Sequence, residues 1–127
     1  MTPTDCLYHK DHLWVRRDGE DEAWIGVTHH AQKNLGEVVY IECAAAGTEI
    51  KQGIPFGIIE SVKIVSDLIS PISGTVLSVN EVASTDPCCV NRDPYLEGWL
   101  LKVRISEISE LDSLMSAKDY ERLVKGT

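Results

Sequence analysis

Short, strand-length runs rich in apolar residues recur along this chain between polar turn segments. β-branched and aromatic residues concentrate in Leu13 to Arg16, Ala23 to Val27, Val38 to Glu42, Ile54 to Ser61, Ile64 to Ile69, Thr75 to Asn80 and Leu100 to Ile105, the composition that suits a pleated, half-buried surface. Turn-forming residues separate them at Asp18-Gly19, Gly47-Thr48, Gln52-Gly53, Pro71, Gly74 and Asp86-Pro87. Many short strands with regular turn signals predict a mainly β fold, an antiparallel sandwich or barrel. The segments Gly47-Thr48-Glu49-Ile50 and Gly74-Thr75-Val76-Leu77 are similar and hint at two half-domain units.

Three short helices interrupt the pattern. Thr28 caps a turn running to about Asn34, with Gly36 closing it. Ser109 precedes Glu110 to Leu114, and Ser116 precedes Ala117 to Lys125 with Gly126 beyond. In the last of these Tyr120, Leu123 and Val124 fall at helical spacing, so one face is expected to pack on a sheet. Trp14, Trp24 and Trp99 read as strand residues anchoring the core. The acidic run Asp18 to Glu22 reads as a solvated hairpin turn.

A length of 127 residues predicts one domain over 1–127, large enough to bury about two-thirds of its unfolded surface. Twelve basic against twenty acidic residues give a net charge of -8, which argues against a nucleic-acid or anionic-membrane partner and favours basic protein surfaces. The first ten residues lack the pattern of a secretory leader and no stretch approaches a membrane span, so a cytoplasmic protein is expected. Cys6, Cys43, Cys88 and Cys89 form no Cys-x-x-Cys pair and are expected to be reduced. The Cys88-Cys89 pair falls in an Asp-Pro turn, where exposure would permit thiol exchange, although an incidental pair is the simpler reading. His9-x-x-His12 with Cys6, and His29-His30, have spacings open to a metal but no clean fourth ligand, so no metal is expected.

The candidate chemistry lies between two of the Ile- and Val-rich runs. Lys63 follows Glu60-Ser61-Val62 and precedes Ile64-Val65-Ser66-Asp67. If the flanking runs form a hairpin, Lys63 stands at its turn. An ammonium on a flexible stem is costly to bury and easily offered to a modifying enzyme.

Glu60 to Asp67, followed by Ser70-Pro71-Ile72-Ser73-Gly74, resembles the lipoyl-attachment region of glycine cleavage system H proteins. Further similar segments are His12-Leu13-Trp14-Val15, Ile25-Gly26-Val27-Thr28 with Ala31-Gln32, Leu35-Gly36-Glu37-Val38, and Asp93-Pro94-Tyr95 with Glu97-Gly98-Trp99-Leu100. The resemblance implies the barrel-sandwich hybrid fold of lipoyl and biotinyl carriers, with a C-terminal helical addition. It implies lipoic acid bound covalently as lipoyl-lysine on Lys63, with Glu60 and Gly74 as recognition and turn residues for the attaching enzyme. Asp67 would then contact the arm or its cargo. Biotin carriers resemble one another in methionines beside the modified lysine, whereas Val62 and Ile64 stand here.

A carrier of this kind is not itself an enzyme. Its implied partners are a lipoate ligase or lipoyl transferase, dihydrolipoyl dehydrogenase, and the glycine decarboxylase and aminomethyltransferase between which an aminomethyl group passes. The chain departs from the family pattern where Leu13 replaces an acid, Asn34 replaces a histidine, His29 stands where an aspartate is common, and Cys43-Ala44-Ala45-Ala46 replaces a Pro-containing run. Loss of a carboxylate near a cationic cargo points toward the H-like lipoate-binding proteins of heterodisulfide-reductase-like sulfur oxidation, with standard glycine cleavage as the alternative. A lipoyl donor or an unmodified interaction module is a further alternative.

Overall fold

Side chains along a strand turn to opposite faces, and here the two faces enter two different cores. In the computed structural model, which describes residues 2–126, Leu13 and Val15 join one hydrophobic cluster while Trp14 between them joins another. The strands are β1 (Leu7–Tyr8), β2 (Leu13–Asp18), β3 (Glu22–Val27), β4 (Val38–Cys43), β5 (Glu49–Ile50), β6 (Pro55–Ser61), β7 (Val65–Ile69), β8 (Gly74–Val79) and β9 (Leu101–Ile105). They pair antiparallel in a six-stranded sheet, β1-β2-β3-β9-β8-β5, and a three-stranded sheet, β4-β6-β7. The larger cluster, with Ile25, Ile41, Ile59, Leu68, Ile72, Val76, Leu101 and Val103, draws on both sheets. The smaller, with Tyr8, Trp14, Tyr95 and Tyr120, also contains Ala117 from the C-terminal helix. This mainly β, two-sheet arrangement with short helices is the expected lipoyl-carrier type.

Four helices are described: α1 (His29–Leu35), α2 (Glu81–Thr85), α3 (Cys89–Arg92) and α4 (Ala117–Lys125), with a 3-10 turn at Ile108–Ser113. Thr28 caps α1 by accepting from the Ala31 N–H, and Gly36 ends it at φ 81, a left-handed conformation natural to glycine. Ser116 caps α4 by accepting from the Asp119 N–H. Tyr120 stacks on Tyr8 with ring centroids 4.8 Å apart, so α4 is fastened to the six-stranded sheet as its periodicity predicts. Leu123, expected on that face, is 39% exposed.

Four expectations need correction. Strands β1 and β5, two residues each, are too short for an alternation signal. Helices α2 and α3 fall where a turn was read, because Asn80 caps α2 from its side chain while donating to the carbonyls of Glu97 and Trp99, contacts that exist only in the folded chain. Cys89 is consequently buried within α3 rather than exposed in a loop. Trp99 precedes β9, and it meets Trp24 edge-to-face at 4.9 Å in a half-buried pair; of the three tryptophans Trp14 is the fully buried anchor.

The two segments read as a repeat become neighbours, with Glu49 opposite Thr75 and Ile50 opposite Gly74. Gly74 also sits opposite Ile105. A Cβ there would lie 2.2 Å from the Arg104 carbonyl oxygen, so the absence of a side chain lets β8 approach β9.

Candidate functional site

The β6–β7 hairpin carries Lys63 at its tip. Ile58 faces Asp67, Ile59 faces Ser66 and Glu60 faces Val65, and the Ser61 N–H donates to the Ile64 carbonyl at 2.8 Å to close the ladder. Val62 and Lys63 are left as a two-residue loop. Such loops favour turns with positive φ, yet neither residue adopts one. The buried Ser61 hydroxyl compensates by accepting from the N–H groups of both Lys63 and Ile64, each at 3.1 Å. A further bond from the Val62 N–H to the Glu37 carbonyl, 3.0 Å long, ties the tip to the segment between α1 and β4.

The Lys63 side chain is exposed and its stem passes over Gly36. A Cβ on Gly36 would come within 3.1 Å of the Lys63 Cε, so Gly36 both ends α1 and leaves room for the lysine. Val62, Ile64 and Val65 around it are 66%, 51% and 62% exposed, an unusual apolar frame for a solvated tip.

Beside the tip lies a cavity with a volume of about 190 Å3. Its walls include Asp11, His12, Leu13, Asn34, Ile64, Ser66 and Asp67. Ile64 adjoins Lys63 in sequence, so the cavity begins next to the lysine. His12 has φ 69, the one non-glycine positive φ among the described residues, and its Nδ1 is 2.7 Å from the Tyr120 hydroxyl. That hydroxyl is also 2.8 Å from Thr28 Oγ1. Burial, and then the neighbouring His30, holds the His12 pKa below its ordinary value; burial pushes Tyr120 up to about 12. Both are therefore neutral near pH 7; His12 stands on the cavity wall and Tyr120 supports it from behind by their hydrogen bond.

Of the residues singled out from the sequence, Lys63, Glu60 and Asp67 share this hairpin, whereas Gly74 belongs to β8 in the other sheet. Sequence reasoning missed Asp11, and it named Ser61 and Gly36 without their roles at the lysine. The hydroxyl of Ser61 two positions before the lysine was a readable turn signal; the other two matter only through tertiary contact. Leu13 is 3% exposed and packs into the main core, so replacing an acid by leucine at that position does not leave the cavity without carboxylates: Asp11 and Asp67 both line it.

Among the described residues no group of three or more His, Cys, Asp or Glu is placed to hold a metal. His9 Nδ1 accepts from the Asp11 N–H at 3.1 Å. Burial pushes the Cys43 and Cys6 thiols up to about 12 and raises that of Cys89. A thiol held protonated is a poor nucleophile, which removes Cys89 from a thiol relay.

A family model described as glycine cleavage H-protein matches residues 6–127. The chain belongs to the glycine cleavage H-protein family. A glycine cleavage system H protein of Carboxydothermus hydrogenoformans is 47% identical over 125 residues, covering 98% of this chain and 95% of its own. Another, from Clostridioides difficile, is 46% identical over 117 residues, covering 92% and 93%. The crystal structure of a glycine cleavage system H protein from Mycobacterium marinum matches with a TM-score of 0.89 and 34% identity, over 98% of this chain and 99% of that one. Members of the H-protein family carry lipoate covalently on a lysine. The tilt toward sulfur-oxidation carriers and a heterodisulfide-reductase-like partner receives no support from these relatives, which favour the glycine cleavage alternative. Asp11 and Asp67 line the cavity wall, so the leucine at position 13 does not leave it without carboxylates.

Proposed function

We propose that this chain is the lipoyl carrier of a glycine cleavage system, with residues 1–127 acting as one domain and Lys63 as the attachment point. The observation that carries this reading is the exposed Lys63 amine on a hairpin tip held by Ser61 and Glu37, at the edge of a cavity. When attached, the lipoyl group supplies a reducible disulfide able to take up and release a one-carbon amine. The chain's own residues then have three tasks. Ser61 and Glu37 fix the tip so that the amine is offered in one orientation. The apolar wall from Leu13, Ile59, Ile64 and Leu68 can cover an aliphatic arm and exclude water from it. Asp11 and Asp67 offer carboxylates to a protonated amine, whose burial without a counter-ion would be costly.

Glu60, opposite Val65 just below the tip, is placed for contact with the attaching ligase or lipoyl transferase. Gly74 lies at the start of β8, and its requirement is explained by the close approach to Arg104; any part in recognition is through the sheet geometry it permits. The chain in this reading is a substrate passed among glycine decarboxylase, aminomethyltransferase and dihydrolipoyl dehydrogenase, not a catalyst, and it works in the cytoplasm. Among the described residues no helix is long and apolar enough to cross a membrane.

The deciding experiment is intact-mass analysis after expression with lipoate and a competent ligase. The expected mass is that of the chain plus one lipoyl group, and Lys63→Arg removes the increment while leaving the circular dichroism spectrum unchanged. An unmodified native chain under those conditions refutes the reading. Glycine decarboxylation by the matching decarboxylase should then depend on the lipoylated form.

A further inference from the structure

The chain has 12 basic and 20 acidic residues, yet one cleft reverses that balance. It lies between the start of α1 and α4, has a cavity volume of about 320 Å3, and is lined by His29, His30, Lys33 and Lys125 with Glu121 as the single carboxylate among its lining residues. Tyr95, Tyr120 and Val124 contribute apolar surface. Among the described residues neither Lys33 nor Lys125 forms an ion pair. The cleft is distinct from the cavity beside Lys63, though His30 in its wall meets His12 at a ring distance of 4.7 Å.

Hydrogen bonds behind the cleft fix which way its donors face. Asn91 Oδ1 accepts from the Val38 N–H at 2.9 Å, so its amide nitrogen is the group that donates to Gln32 Oε1 at 3.0 Å. Gln32 is thereby oriented with its own Nε2 toward His29 Nδ1, also at 3.0 Å. Neutral His29 must then carry its proton on Nε2. The Tyr95 hydroxyl oxygen accepts from the His29 N–H at 3.0 Å, and among the described residues its proton has no acceptor. Two lysine ammonium groups, an imidazole N–H and a phenol O–H thus line one recess. His29 is held below its ordinary pKa first by desolvation and then by neighbouring positive charge, including Lys33 and His30.

We propose that this cleft binds a small molecule in which a phosphate group is joined to an aromatic or aliphatic body. Two lysines on the lining of one cleft suit a doubly charged group better than a single carboxylate, because charge-assisted bonds strengthen with the acceptor's charge. The tyrosine and valine surface gives the organic body a place that inorganic phosphate would leave empty, and the volume, about 320 Å3, is at the small end of ligand pockets. Glu121, an exposed side chain, is the one carboxylate on the lining and opposes the anion. Protonation of His29 adds positive charge to a recess already containing Lys33 and Lys125, with His30, Glu121, Tyr95 and Tyr120 among the other ionisable groups of its wall, so binding tightens as pH falls.

The test is a nuclear magnetic resonance titration of the full unmodified chain with phenyl phosphate, set beside inorganic phosphate and phenol. Acylation of Lys63 plays no part in it, so its outcome is separate from that of the carrier reading. Saturable shifts centred on His29, Lys33, Tyr95 and Lys125, an affinity at least about fivefold above either control, and a raised His29 pKa at saturation are expected. The double substitution Lys33→Gln with Lys125→Gln, both exposed positions, should weaken binding at least about tenfold without altering the remaining spectrum. Shifts that never saturate, inorganic phosphate binding as tightly as phenyl phosphate, or undiminished affinity in the double variant would each overturn the proposal.

Discussion

At the residue scale the lysine depends on neighbours that touch it without resembling catalytic groups. Ser61 replaces the positive-φ geometry that a two-residue hairpin would otherwise adopt, through its two accepted bonds. Ser61→Ala should destabilise the protein by about 1–2 kcal/mol, since two backbone donors lose their partner. Because the lysine's orientation loosens at the same time, the rate of lipoylation under limiting ligase should fall more than global stability; equal lipoylation of the two proteins would show that the hydroxyl does not position the amine. Gly36→Ala combines a left-handed backbone with a Cβ 3.1 Å from the Lys63 Cε. Its expected cost is about 1–2 kcal/mol in chemical denaturation, with the lysine stem displaced.

Elements decide how those residues meet. The β8–β9 pair needs Gly74, where a Cβ would stand 2.2 Å from a backbone oxygen that cannot rotate away. Gly74→Ala is expected to lose about 2–3 kcal/mol, in the range of overpacking, and to lower lipoylation only so far as it unfolds the sheet; a lipoylation defect in fully folded G74A protein would instead assign it to recognition. The junction of α4, α1 and the β1–β2 connection is built from His12, Tyr120 and Thr28. His9, His12 and His29 all have pKa values held below the ordinary 6.5, chiefly by burial. The unfolded chain therefore binds protons first as pH falls, so these groups contribute stability that is complete above 6.5 and is lost below it. Thermal unfolding should show a falling midpoint from pH 7.5 toward about pH 5.5, with a shallower slope in His12→Asn.

For the whole molecule, a net charge of -8 acts on association rather than on fold. Docking to enzymes with basic surfaces should slow as ionic strength rises, because charge steering is screened over about 10 Å at 0.1 M salt. Stopped-flow measurement of transfer from the decarboxylase across a salt series checks this; a flat salt profile would leave the apolar frame of Val62, Ile64 and Val65 as the main docking determinant. Acylation of Lys63 removes one positive charge from an already acidic chain, so the modified protein should show a slightly stronger salt dependence toward partners with basic surfaces.

Local signals in the sequence determined most of the elements. The β-branched and aromatic runs Leu13 to Arg16 and Ile64 to Ile69, the caps Thr28 and Ser116, and the stops Gly36 and Gly126 act within a few residues of themselves, so they are readable in one dimension. The lysine at a hairpin tip was legible for the same reason. Tertiary structure alone decided that Asp11 joins Asp67 on a cavity wall, that Leu13 is core, that Cys89 is buried and that Asn91 orients Gln32 and thereby His29. Each of these depends on partners far apart in the chain, brought together by the closing of two sheets on a shared core, and no periodicity or spacing encodes that proximity.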